Sequence, residues 1–189
     1  RHLAQKLWAG EGFFLQIDSH MRFRPNWDSY LVGLIEELEA QSGTSSESIC
    51  NPRMEVQNMS KVDLMVSSSR KKKVVLTTYP LGYTINPTNI SKDIRPTLLC
   101  PVGFGGANDD GILRQTGRLL RHTASKPLPS YLWAAGFNFS RAKETIVECP
   151  YDPHLPFLFF GEEISMAARL WTHGYDLYAP PETVLYHLW

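Results

Sequence analysis

The chain has 189 residues, enough for one core or for most of one larger domain. It is 43% hydrophobic and 12% aromatic, so a core can be filled, and its 19 Lys+Arg balance 19 Asp+Glu. That balance argues against broad electrostatic binding to nucleic acid, and no apolar run is long enough to cross a bilayer.

In chain order, Leu3, Leu7 and Trp8 lie at helical spacing within residues 1–9, and Gly10 ends the pattern. Phe13-Phe14-Leu15-Gln16-Ile17 reads as a mostly buried strand that ends at Asp18. Ligands bind at the C-terminal ends of strands in open α/β sheets, so Asp18-Ser19-His20 stands where chemistry is expected. After Pro25, Trp27, Tyr30, Leu31, Leu34, Ile35 and Leu38 mark a second helix, with Glu36, Glu37 and Glu39 on its wet face. Residues 41–47 read as a polar loop, and residues 49–69 show no clear period. The basic run Arg70 to Lys73 leads into an apolar strand over residues 74–79, stopped by Pro80, and reads as a solvated approach to that strand.

Residues 81–96 read as an ordered loop, and Thr97 to Cys100 as a short strand. Gly103-x-Gly105-Gly106 lacks the strand, turn and helix of a phosphate-binding loop. Residues 112–124 are mixed in character. Residues 132–139 are read as an aromatic strand in which Gly136 permits close backbone approach, with Ser140 capping a following helix. Glu162 to His173 is the clearest amphipathic helix of the C-terminal half, with Ile164, Ala167, Ala168 and Trp171 along one side. Short strands at 176–179 and 184–187 close the chain.

Cys50, Cys100 and Cys149 are odd in number, widely spaced and without a Cys-x-x-Cys pair, which favours a reducing compartment. Asn58, Asn89 and Asn138 open glycosylation sequons, and Asn138 is expected to be buried and bare.

Asp18 and His20 offer a carboxylate and an imidazole on one side of an extended turn, a donor pair suited to manganese or a similar divalent ion. The bland alternative is a strand-end turn in which Asp18 caps a helix or bonds to backbone. A third ligand is needed, and His187, His173, His154, His122 and Glu162 all remain candidates on spacing. Glu162 and Glu163 open the C-terminal helix, where acidic residues are favourable in any case. Emerging from the apolar Phe157 to Phe160, they can also grip a sugar or acceptor hydroxyl. No Gly-x-Ser-x-Gly motif supports a serine hydrolase. Asp18 with Glu162 or Glu163 could form a two-carboxylate glycosidase, though the neighbouring His20 points to metal.

Three segments, Phe13 to His20, Trp133 to Phe139 and Phe160 to Tyr175, resemble glycosyltransferase family 60 in order and spacing, over about residues 1–189. Its members attach N-acetylglucosamine from UDP-N-acetylglucosamine to polypeptides. Some are cytoplasmic and modify hydroxyproline on a ubiquitin-ligase adaptor; others are Golgi enzymes that modify threonine of mucins. A more distant resemblance is to the polypeptide N-acetylgalactosaminyltransferases. It implies metal ligation by Asp18, His20 and His187. It also matches Glu162 to the Glu of a Gly-Glu-Asn element, and Arg169 and Trp171 to its helix Arg and Trp. Glu163 and Ser165 depart from that relative, which has Asn and Glu there.

The resemblance implies a GT-A fold, a mixed, mainly parallel sheet flanked by helices. One catalytic domain is expected over residues 1–189, as a fragment that lacks its N-terminal nucleotide-binding strands and binds UDP weakly. It also implies Asp18, Ser19, His20, Trp133 and Gly136 against the donor, Glu162 and Glu163 in catalysis, and a divalent ion such as Mn2+. The expected partner is a polypeptide acceptor, such as a ubiquitin-ligase adaptor. The expected location is the cytoplasm, or the Golgi if an anchor precedes the chain. An inactive fragment or binding module is the competing class.

Overall fold

The computed structural model describes residues 1–41, 72–83, 92–105, 111–155 and 157–189. The unassigned stretch 49–69, Cys50, Asn58, Asn89 and most of the polar loop from residue 41 lie outside the described residues. The elements are α1 (His2–Gln5), β1 (Phe13–Ile17), β2 (Met21–Phe23), α2 (Trp27–Ala40), β3 (Lys73–Thr77), β4 (Leu81–Gly82), β5 (Thr97–Phe104), β6 (Leu113–Leu119), β7 (Leu128–Ser130), β8 (Phe137–Arg141), α3 (Ala142–Glu148), α4 (Glu162–Thr172), β9 (Tyr175–Ala179) and β10 (Leu185–His187). The protein is α/β. A five-stranded sheet runs β1-β8-β3-β9-β7, a three-stranded sheet runs β2-β10-β4, and β5 and β6 form a separate hairpin.

The main sheet is mixed as expected, but among the described strands it is not mainly parallel. Only β3 and β9 run parallel within it; β8 runs antiparallel to both β1 and β3, and β7 antiparallel to β9. A parallel neighbour needs a long crossover, which residues 78–174 provide between β3 and β9, whereas β7 and β8 both run against that pair and flank it on either side.

Alternation along β3 sets the layers. Val74 and Leu76 face one side, where Leu31, Leu34, Ile35 and Leu38 of α2 pack with Phe137 and Phe139. Val75 faces the other, where Met166, Ala167 and Leu170 of α4 pack with Trp133, Tyr175 and Leu177. The α2 set follows i, i+3, i+4, i+7, the stripe a half-buried helix needs. Each such side chain, fully buried, stabilises by roughly 1.5–3 kcal/mol.

Several expected faces differ. The first helix is a single turn with Leu3 74% exposed and Gln5 buried, and Leu7, expected in it, follows it 81% exposed. Glu39, expected in water, is 6% exposed because Arg141 reaches it with Nε at 3.2 Å and Nη2 at 2.9 Å. The inner face of α4 is Met166, Ala167 and Leu170, and Trp171 stands 64% exposed. The aromatic strand begins only at Phe137, and Ser140 lies within it, bonded to the Thr145 hydroxyl at 2.6 Å, instead of capping α3. Residues 112–124, without a clear period, contain β6, whose partner β5 extends four residues past Cys100. Asn138 is buried, as its aromatic neighbours suggest.

Candidate active site

The site lies where β1 ends. Pairing of β1 with β8 sets Ile17 opposite Phe137, so Asp18 follows directly against Gly136. The Asp18 amide donates to the Gly136 carbonyl at 3.3 Å. A Cβ added at Gly136 would lie 2.7 Å from Asp18 Oδ2, closer than real Cβ contacts come. Close approach is therefore what position 136 requires, and only glycine supplies it without moving the carboxylate.

Glu162 and Glu163 open α4 after Gly161, whose left-handed φ of 93° suits a residue without Cβ. Their side chains part company. Glu162 Oε1 accepts from Arg1 Nη1 at 2.6 Å and from the Tyr151 hydroxyl at 2.6 Å. The same guanidinium donates through Nη2 to Asp18 Oδ1 at 3.1 Å, so Arg1 bridges the strand-end carboxylate and the helix-start carboxylate. Arg1 also reaches the Ala135 carbonyl at 3.2 Å. Buried Gln16 donates to that carbonyl and to the Tyr151 hydroxyl, both at 2.8 Å. Burial, then the bond to Glu162, pushes the Tyr151 phenol well above its ordinary value, so it stays protonated and donates.

Glu163 points into the protein. Its Oε1 accepts from the Ala135 amide at 2.9 Å; its Oε2 accepts from the Tyr79 hydroxyl at 2.5 Å and Gln115 Nε2 at 2.9 Å. Burial raises the Glu163 carboxyl above its ordinary value, while the bonds from Tyr79 and Ala135 work against that rise.

Ser19 and His20 are exposed, His20 has φ 61°, and Ser19 Oγ lies 3.1 Å from His20 Nδ1. Antiparallel pairing of β2 with β10 sets His187 opposite Met21, and the Leu188 amide donates to the His20 carbonyl at 3.3 Å. Of the five candidate third ligands, His187 is the one that a strand register carries beside the turn. Its Nδ1 is buried without a hydrogen-bond partner among the described residues, and its ring lies 4.5 Å from that of Trp189. His173 Nδ1 lies 2.7 Å from the Arg169 carbonyl at the end of α4, and His122 and His154 are exposed.

The donor types of Asp18, His20 and His187 suit a divalent ion, and an unpartnered buried nitrogen fits a ligand in waiting. Their side chains are not gathered, however. Among the described residues no group of three or more His, Cys, Asp and Glu is placed to hold a metal. Trp133, expected against the donor, is 2% exposed and packs in the core edge-on to Tyr151. Its backbone carbonyl remains useful, accepting from Gln115 at 2.8 Å.

The site thus holds two carboxylates joined by one cation beside a glycine wall, with the strand that carries His187 paired beside the turn. A family model described as Glycosyltransferase (GlcNAc) matches residues 1–189, the whole chain. The chain belongs to this glycosyltransferase family. No curated protein matches it. Within the glycosyltransferase frame, Arg1, Gln16, Tyr79, Gln115 and Tyr151 are the site residues that sequence reasoning missed. Gln16 carried a signal, being the one polar residue in the strand Phe13–Ile17 next to Asp18, and Tyr151 belongs to the aromatic-rich interval between Trp133 and Phe160; Arg1, Tyr79 and Gln115 carried none. Among the described residues no helix is long and apolar enough to cross a membrane.

Proposed function

We propose that this glycosyltransferase moves N-acetylglucosamine from UDP-N-acetylglucosamine to a hydroxyl of a polypeptide, hydroxyproline or threonine, with retention and on a GT-A frame. The observation that carries this reading is the Arg1 bridge between Asp18 and Glu162 at the Ala135-Gly136 wall. It joins the strand-end turn to the helix start, two of the three segments that together resemble family 60.

In this reading Asp18, His20 and His187 would hold a divalent ion, with Ser19 and Gly136 against the donor. When bound, the ion supplies a Lewis acid that stabilises charge on the departing diphosphate. Arg1 adds a fixed cation beside that charge, and its bonds to two carboxylates keep it oriented. Glu162, held by Arg1 and Tyr151, orients the sugar or the incoming hydroxyl and forms no covalent bond. The acceptor oxygen bonds the anomeric carbon on the face from which the diphosphate departs. The bond from that carbon to the diphosphate oxygen breaks, and the hydroxyl proton passes to the leaving phosphate. The acceptor is a cytoplasmic protein such as a ubiquitin-ligase adaptor, or a Golgi mucin if the protein is anchored there.

The test is transfer from UDP-N-acetylglucosamine to hydroxyproline and threonine peptides by the full chain, with and without Mn2+. Transfer should need the ion and fall by at least about 10²-fold in Asp18→Ala and His20→Ala. Undiminished transfer in Asp18→Ala would remove the role assigned to the turn. Release of free sugar, with no peptide product, would instead favour hydrolysis.

A further inference from the structure

We propose that Glu163 is a positioning residue: its carboxylate fixes the Ala135-Gly136 backbone against Asp18 and touches neither donor nor acceptor. The inference rests on the reading of Asp18 as a donor-facing group and assigns the adjacent glutamates opposite tasks. Both oxygens of Glu163 are committed to protein donors from three separate places in the chain. Tyr79 follows β3, Gln115 lies on β6, and Ala135 belongs to the loop before β8. A carboxylate has about four acceptor directions, so three well-placed donors leave little capacity for a substrate hydroxyl. Among the described residues Glu162 accepts from Arg1 and Tyr151, both through Oε1.

The coupling to Asp18 is short. Ala135 is held through both of its backbone polar groups, its amide by Glu163 and its carbonyl by Gln16 and Arg1. The next residue, Gly136, accepts from the Asp18 amide and leaves no room for a Cβ against Asp18 Oδ2. Movement of the Ala135 peptide therefore reaches the Asp18 carboxylate through one residue. The flanks are anchored independently. The Thr77 hydroxyl accepts from the Ala134 amide at 2.8 Å and donates to the Phe137 carbonyl at 3.0 Å. Loss of Glu163 should thus loosen Ala135 and Gly136 while the chain on either side stays in place.

The test compares Glu163→Ala with Glu163→Gln in the full chain. In Glu163→Gln the amide oxygen can accept from Ala135 and its NH2 can donate to the Tyr79 oxygen, while Gln115 loses that acceptor and keeps the Trp133 carbonyl. Three readouts are taken: kcat, KM for the peptide acceptor, and amide hydrogen exchange at Ala135 by NMR. In Glu163→Ala, kcat should fall by about 10²-fold with acceptor KM changed less than about threefold, as misplacement of one reacting group predicts. Ala135 exchange should accelerate at least about tenfold. Glu163→Gln should recover most of both losses. The proposal is overturned if Glu163→Gln is as inactive as Glu163→Ala while Ala135 stays protected, since the charge itself would then act. It is equally overturned if Glu163→Ala keeps full kcat. Should Glu163→Ala not fold, Tyr79→Phe removes one donor while keeping the Ala135 bond. Glu163 Oε2 then keeps the Gln115 donor alone, so Ala135 exchange and kcat should shift in the same direction as in Glu163→Ala but by less, and no shift in either counts against positioning. The exchange measurement needs no turnover, so absence of sugar transfer in the wild-type chain would fail the proposed function and leave the exchange result separately readable.

Discussion

The loop at residues 134–136 and the turn at residues 18–20 face one another and are built in opposite ways. In the loop, the Ala134 and Ala135 amides and the Ala135 and Gly136 carbonyls all have protein partners, and Trp133 and Phe137 on either side are buried. In the turn, Ser19 and His20 are exposed, His20 takes a left-handed φ, and the neighbouring His187 keeps a buried nitrogen without a partner among the described residues. A wall with its polar groups satisfied by protein has little reason to rearrange, whereas a turn with spare donors has capacity for a ligand. The contrast assigns positioning to the wall and recognition to the turn.

That contrast can be broken most forcefully at Phe137, fully buried where β8 leaves the wall. Phe137→Ala should cost about 3–5 kcal/mol of stability. Denaturant unfolding checks this, and a much smaller cost would mean that the wall is not rigidly packed. Next comes the contact itself. Gly136→Ala places a methyl on Asp18 Oδ2, and the half-exposed carboxylate can swing away, so folding should lose only about 1 kcal/mol. Transfer activity should fall by about 10²-fold, because a displaced group misses its target. Equal losses of folding and activity would show that the methyl disturbs the wall and not the turn.

A smaller effect is expected at His187. Replacing an unpartnered buried polar atom with an apolar isostere is close to neutral, so His187→Phe should leave metal-free stability within about 1 kcal/mol. Any rise in thermal midpoint with Mn2+ should vanish. A loss of more than about 2 kcal/mol without metal would show that Nδ1 already has a structural partner.

The smallest effect lies behind the turn. The Tyr186 hydroxyl donates to the Asp93 carbonyl at 2.9 Å, and the Thr183 hydroxyl to the Arg95 carbonyl at 2.7 Å, tying residues 93–95 to the strand that carries His187. Hydrogen bonds from the Arg95 guanidinium and amide hold the Asp93 carboxyl at about 2, below its ordinary 3.8. A depressed folded value stabilises above pH 3.8 and loses that contribution as pH falls towards 2. An NMR titration of Asp93 should show the low midpoint, and Arg95→Met should raise it towards the ordinary range while the backbone-amide bond still holds it below.

Legibility followed the range of each interaction. The strand Phe13–Ile17 and the helix bearing Leu31, Leu34, Ile35 and Leu38 were readable because their patterns are local, although the strand, expected to be mostly buried, buries only Gln16 and packs Phe13, Leu15 and Ile17 partly buried against the core. Residues 112–124 showed no such period because β6 belongs to a hairpin with mostly exposed residues, so nothing forces alternation. Trp171 was misassigned to the inner face of its helix. Met166 and Leu170 turn inward instead, onto Val75 and Leu177, strand residues far away in sequence. Glu39 looked like a wet-face residue until Arg141, 102 residues away, supplied its partner.

The sequence alone determined the elements with a strong period, the Asp18-Ser19-His20 turn at a strand's end, and the acidic start of the last long helix. Those depend on neighbours within a few residues, where spacing and side-chain chemistry suffice. Only the tertiary structure decided which strand lies beside which, and therefore that Gly136 presses on Asp18 and His187 comes beside His20. It alone separated Glu162 from Glu163. Adjacent residues on a helix point about 100° apart, and what each meets depends on elements that other parts of the chain bring there.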